Sequence, residues 1–138
     1  MGSAFTLGKQ ERVKSRKLTE QLFSQGKKFM VHPFRIHYLL IDRAAFTLPS
    51  PLQFGVGVST RNFKRAADRN RVKRLAREAW RLQKNELALL LKAGNLQLAV
   101  FFIYSGKELP SFEAVKAKTT VALNKLIQAI CENNPAGT

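Results

Sequence analysis

Between Arg61 and Arg81 nine basic residues stand against two acidic ones, Asp68 and Glu78, in a stretch that also carries apolar residues at helical spacing. Cations at this density perform no covalent chemistry of their own; they bind polyanions. Guanidinium groups suit phosphate oxygens because their planar fork donates two parallel N–H bonds. Placed at 100° steps, Val72, Leu75, Ala76, Ala79 and Leu82 fall on one arc. Asn70, Arg71, Lys73, Arg74, Arg77 and Arg81 fall on the opposite arc, and Arg65 and Arg69 extend the charge toward the helix start. A helix that merely faces water mixes signs, since Glu-to-Lys pairs at i, i+4 contribute about 0.2–0.5 kcal/mol each. Such pairs are almost absent here. A helix docked on protein through one face and offered to RNA or DNA through the other accounts best for the missing carboxylates.

Groups that could cut a phosphodiester are not assembled. Two-metal hydrolysis needs converging carboxylates, whereas the nine acidic residues are mostly isolated among cations. His32 and His37, the only histidines, flank Pro33 and should point to opposite faces of a strand; His37 reads as a partly exposed sheet residue ahead of a direct RNA contact. Cys131, the only cysteine, has no paired histidine to activate it, and its solitude excludes a disulfide framework or a cysteine zinc cluster. There is no P-loop and no dinucleotide fingerprint. The sequence thus predicts no catalytic residue and no metal ligand set, so another molecule must supply the reactive groups.

The elements that position the cations can be read from periodicity. A first helix is marked by Leu18 and Leu22, with Ser15 as N-cap, Gly26 as the stop, and Arg12, Lys14, Arg16 and Lys17 at its approach. Phe34 to Ile41 and Leu52 to Ser59 alternate as strands joined by a loop, which reads as an antiparallel pair. The second presents Gly55 and Gly57 on one face, either a bare surface for a nucleic-acid strand or a site of tight packing. The basic helix starts between Asn62 and Ala67 and runs to about Lys84, with continuation through Leu87 to Leu91 left open. Leu96 to Tyr104 suits an inner strand covered on both faces. Phe112, Val115, Thr119, Ala122, Leu123, Leu126, Ile127 and Ile130 form a last, structural helix after Ser111. The expectation is one α/β layered domain over residues 1–138, an α+β sandwich in the order α-β-β-α-β-α, with flexible ends at 1–10 and 132–138.

At 138 residues and net charge +15, with a hydrophobic fraction of 45%, the chain is a folded basic protein rather than a disordered tail. No run approaches the ~18 apolar residues of a membrane span, and Met1 to Gln10 lacks the pattern of a signal peptide. The expected location is cytoplasmic, with no membrane partner.

The segment from Phe63 to Glu78 closely resembles the Arg-Asn-Arg signature of the bacterial ribonuclease P protein component, here Arg69-Asn70-Arg71 followed by Val72, Lys73, Arg74, Leu75 and Arg77. It follows the family's Gly-x-x-Val-Ser strand, here Gly55-Val56-Gly57-Val58-Ser59, and the resemblance extends from the basic approach to the first helix, through Leu22, Phe23 and Gly26, to the last helix. The resemblance implies a small mixed sheet and a left-handed strand-helix-strand crossover, where general rules favour the right-handed form in ~98% of cases. It also implies that catalysis belongs to an RNA subunit with Mg2+, held mainly by that RNA and by substrate phosphates. That RNA removes the 5′ leader of precursor tRNA, and one protein serves each RNA subunit.

Carried over by position, the RNA-binding set implied is Arg61, Lys64, Arg65, Arg69, Asn70, Arg71, Lys73, Arg74 and Arg77. The leader is expected in a cleft between the first helix and the sheet, at Thr19, Phe23, Arg35, His37, Gly57 and Ser59. Phe23 matches an aromatic able to stack on an unpaired base, with an ordinary core role as its alternative. Two departures stand out: Thr19 where a second aromatic is common, and Tyr104-Ser105 where a basic pair is frequent. Composition alone would equally fit an rRNA-binding or ribosomal protein. A DNA-binding protein fits less well, without heptads or a helix-turn-helix, and a membrane-surface helix less still.

Overall fold

In the computed structural model, described over residues 11–13, 15–41, 48 and 50–133, eight elements follow one another. They are α1 (Arg16–Gln25), β1 (Lys27–Val31), β2 (Phe34–Ile41), β3 (Leu52–Val58), α2 (Ala66–Gln83), α3 (Asn85–Ala93), β4 (Gln97–Tyr104) and α4 (Phe112–Asn133). The mixed four-stranded sheet has the order β1-β2-β4-β3. β2 runs antiparallel to β1 and β4, while β3 and β4 are parallel and joined through α2 and α3.

The caps follow the sequence. Ser15 Oγ accepts the Leu18 N–H at 3.2 Å, opening α1. Gly26 closes it, donating its N–H to the Leu22 carbonyl at 3.1 Å. A Cβ at this glycine would collide with the carbonyl oxygens of Leu22 and Tyr38, so the chain can turn into β1 here only without a side chain. Ser111 Oγ accepts the Ala114 N–H at 3.1 Å at the start of α4. That helix runs through Glu132 and Asn133, which sequence reasoning had placed in the tail. Residues 1–10 and 134–138 lie outside the described residues, as do 42–47 and 49 of the loop before β3.

Two features of the sheet differ from expectation. β2 and β3 are not paired: β4 lies between them, because alternation shows which face is apolar but not which strand is the neighbour. β1 was not foreseen. It is an edge strand whose Lys27 and Lys28 are exposed and whose only buried side chain is Val31, so it lacks an apolar alternation. The basic helix ends at Gln83, in agreement with the expected end at about Lys84; Lys84 closes α2 through its N–H to the Trp80 carbonyl (2.9 Å) and caps α3, a separate helix that takes up the continuation left open.

The main core lies between one sheet face and α2, α3 and α4. At its centre Trp80 is fully buried, stacked on Phe54 at 4.4 Å and edge-on to Phe102 at 5.6 Å. The buried stripe of α2 is Val72, Ala76, Ala79 and Trp80, with Leu75 and Leu82 at its margin. The stripe is thus rotated toward Trp80 from the arc that sequence spacing suggested. The second face of the sheet carries α1 through Leu18 and Leu22, with Leu48, Ala99 and their neighbours. Trp80→Ala is expected to lower unfolding free energy by about 3–5 kcal/mol in denaturant titrations, the range for large aromatic truncations in closed cores.

Candidate nucleic-acid interface

The loop from β3 into α2 is tied down before the cations begin. Ser59 Oγ accepts the Arg61 N–H at 3.2 Å, the Phe63 N–H reaches the Ser59 carbonyl, and Asn62 Nδ2 donates to the Ser105 carbonyl at 3.0 Å. Phe63 is buried, which leaves Arg61, Lys64 and Arg65 exposed on a fixed backbone. Ser59 is therefore an organiser of this turn. The residues that replace the family's basic pair are structural as well: Tyr104 is buried and donates its hydroxyl to the Glu108 carbonyl (2.7 Å), and Ser105 Oγ donates to the Pro33 carbonyl (2.8 Å).

α2 starts at N-cap Arg65 without a side-chain cap. Arg69 compensates by reaching back, one guanidinium nitrogen donating to the carbonyls of Phe63 (2.7 Å) and Lys64 (2.9 Å). The position dictates this: Arg69 precedes Val72, Ala76 and Trp80 at i+3, i+7 and i+11, on the buried stripe rather than the cationic one. Sequence spacing had counted it with the exposed charge.

The exposed stripe is continuous. Asn70, Arg74, Arg77 and Arg81, with Glu78 and the Arg12 side chain from the segment before α1, line an open cleft of about 420 Å³. Arg12 reaches it because its backbone bridges in parallel to Phe54, while the Val13 N–H donates to the Phe54 carbonyl at 3.0 Å. Burial, and then the nearby Arg12 cation, hold Arg77 below the usual guanidinium value. The Glu78 carboxyl is pulled below its ordinary range by its hydrogen bond from Arg81, whose own value rises in return. The carboxylate of the cleft is thus already engaged by Arg81, and the site as a whole is cationic. Arg71 is exposed and Lys73 half-buried on its flanks.

The second face of the sheet forms a different surface. Register sets Lys28, His37, Phe101 and Gly55 in one cross-strand row, and Met30, Arg35, Ile103 and Gly57 in the next. Above them Phe23 of α1 lies edge-on to His37 (4.6 Å) and to Phe101 (5.3 Å) and is 42% exposed. The glycines clear space for a ring. A Cβ at Gly55 would stand 2.6 Å from Phe101, and one at Gly57 3.2 Å from it. Tight packing, one of the two alternatives at these glycines, is what occupies Gly55. Thr19 back-bonds to the Ser15 carbonyl at 2.9 Å. Arg35 is exposed, as is Met30, which sequence reasoning passed over.

His37 differs from expectation: it is 7% exposed rather than partly open, and its Nε2 has no hydrogen-bond partner among the described residues. Burial first, and then Arg35 and Lys28, lower its pKa from 6.5. Phe101 is the other residue missed, and it had a signal, since period two places it beside His37 once β4 is set next to β2. Among the described residues no three His, Cys, Asp or Glu side chains gather as a metal site, and no helix is long and apolar enough to cross a membrane.

The protein is thus an α+β sandwich whose basic helix, in the connection between two parallel strands, turns its cationic face outward. The sequence profile of the Ribonuclease P family matches residues 7–127, and the chain belongs to that family. The ribonuclease P protein component of Porphyromonas gingivalis is 36% identical over 134 residues, covering 97% of this chain and 93% of that protein. That of Chlorobium phaeobacteroides is 30% identical over 128 residues, covering 88% of each. The structure of the Staphylococcus aureus RNase P protein shares the fold at TM-score 0.65, with 15% identity over 84% of this chain and 94% of that one.

Arg69→Ala, which removes two charge-assisted bonds to backbone carbonyls, is expected to lower stability by about 1.5–3 kcal/mol, whereas Arg71→Ala leaves it unchanged within about 0.5 kcal/mol; parallel urea titrations separate them. His37 gives a pH dependence of definite sign. The folded state keeps the imidazole neutral to lower pH than the unfolded chain does, so the unfolded chain binds the proton more readily. The stability this contributes is intact above pH 6.5 and is lost as pH falls from there toward the lowered folded value. Melting curves of wild type and His37→Leu should therefore run parallel above that pH, with wild type falling more steeply below it.

Proposed function

We propose that this chain is the protein subunit of ribonuclease P. In this reading it binds a catalytic RNA subunit through α2 and the loop before it, and the 5′ leader of precursor tRNA through the face beneath Phe23. It thereby assists the RNA-catalysed, magnesium-dependent removal of the leader. The observation that carries the proposal is the row Asn70, Arg74, Arg77 and Arg81 facing Arg12, where four guanidinium groups meet one carboxylate, in a chain that belongs to this family.

The division of labour follows from the side chains. The described residues offer no carboxylate cluster suited to magnesium, so no step is assigned to an ion on the protein; the ion's place is among RNA and substrate phosphates. Arg61, Lys64, Arg65, Arg71, Lys73, Arg74 and Arg77 bring positive charge to phosphates, which raises affinity and makes it steeply salt-dependent. Asn70 offers a neutral donor and acceptor to a base edge or ribose hydroxyl. Arg69 supports the interface from behind by holding the loop carbonyls. Phe23 presents an apolar edge to an unpaired base, flanked by the Arg35 charge, while buried His37 supports Phe23 from below.

Precursor tRNA cleavage by the source organism's ribonuclease P RNA at low magnesium tests the proposal. Wild-type protein should give cutting at the mature 5′ end that the RNA alone does not. Arg71→Ala with Arg74→Ala should weaken binding to that RNA and reduce the magnitude of the salt slope by roughly 0.7–0.9 per lost phosphate contact. Phe23→Ala should weaken precursor but not mature tRNA binding. A folded wild-type protein that changes neither binding nor cleavage at any magnesium level would transfer the chain to the class of RNA-binding modules unconnected with cleavage.

A further inference from the structure

We propose that the Glu11–Lys84 ion pair is a positioning latch that holds Arg12 on the cationic face of α2 and so makes the segment before α1 part of the RNA site. The inference rests on the function proposed above and concerns residues outside the Arg-Asn-Arg signature.

Arg12 occupies a place that electrostatics opposes. It shares its cleft with Arg74, Arg77 and Arg81, the carboxylate there is engaged by Arg81, and the Arg12 cation adds to burial in disfavouring the charge on Arg77. Left to itself, a short segment before a helix would swing such an exposed cation away from three like charges. Two restraints flank it in sequence. After it, the Val13 N–H is bonded to the Phe54 carbonyl. Before it, Glu11 pairs with Lys84 across 73 positions of chain.

Lys84 is unusual for a lysine. It is 4% exposed, at the junction of α2 and α3, where an apolar side chain would fill the space without desolvating an ammonium. A buried cation is stabilised by a matched carboxylate, and the chain, which has only nine acidic residues, places one immediately before Arg12. The pair therefore selects one placement of this segment and fixes it to the C-terminal end of the helix whose exposed face carries the cations. Glu11 and Lys84 would touch no phosphate themselves. They act through Arg12.

The test compares Glu11→Gln, Lys84→Arg, Arg12→Ala and the Glu11→Gln/Arg12→Ala double variant in binding to the ribonuclease P RNA over a range of salt, with melting curves for each. Arg12→Ala is expected to lose roughly tenfold in affinity, the loss of one charge-assisted contact, and to reduce the magnitude of the salt slope by about 0.7–0.9. Glu11→Gln should reproduce both changes and add nothing in the Arg12→Ala background, whereas Lys84→Arg, which keeps the pair, should stay near wild type. Losses that add in the double variant would mark the pair as a purely structural bond and overturn the proposal. So would wild-type affinity in a folded Glu11→Gln. Hydrogen exchange at the Val13 amide supplies a readout without RNA: faster exchange in Glu11→Gln is expected, and unchanged protection overturns the latch. If wild-type protein itself does not bind the RNA, it is the functional reading that fails.

Discussion

Trp80 lies flat on Phe54 and edge-on to Phe102, and this contact fixes the rotation of α2 about its own axis. A helix has one rotational degree of freedom relative to the sheet beneath it, and a large ring locked between two others removes that freedom. Val72, Ala76 and Ala79 are small enough to let the helix settle where the ring demands. Once that face is set, helical geometry sets the other: Asn70, Arg74, Arg77 and Arg81 must form a row, and Arg69 must point back toward its own loop. The cationic surface is thus a consequence of core packing on the opposite side. Changes in that core would be felt as changes in charge presentation.

A second constraint acts on the opposite sheet face. The central strand β4 puts Phe101 there, between His37 of β2 and Gly55 of β3, and the glycine is what lets the ring lie down. The short helix α1 covers only part of this face, and Phe23 at its end rests on the His37 and Phe101 rings while remaining open to solvent. The result is an aromatic platform bordered by Lys28 and Arg35, over a histidine nitrogen that has no hydrogen-bond partner among the described residues.

Much of this was legible in the chain. The cap at Ser15, the stop at Gly26, the inner strand before Tyr104 and the last helix each carry a local signal, and the structure agrees with all of them. What was not legible depends on partners distant in sequence. The intervention of β4 between β2 and β3 cannot be inferred from alternation, which is the same for either neighbour. β1 lacked alternation because an edge strand buries little. Arg69 looked like one more exposed cation, and only the placement of Trp80 reveals that it sits on the inner stripe. Lys84 looked like the charged end of a helix, since nothing in its neighbourhood of sequence announces Glu11.

The two surfaces also differ in how they bear charge. On the aromatic face the cations stand apart at the rim, so water screens them well. In the cleft beside α2, Arg12, Arg74, Arg77 and Arg81 are brought together around a single carboxylate, and the lowered value of Arg77 shows that burial and repulsion both act there. Packing that forces like charges together raises the energy of the folded state, and any anion placed among them returns that energy. A polyanion that binds only the folded chain therefore stabilises it by mass action. Under the proposed function, affinity and stability draw on the same few guanidinium groups, so a substitution that relieves their repulsion would strengthen the free fold while weakening binding to phosphate.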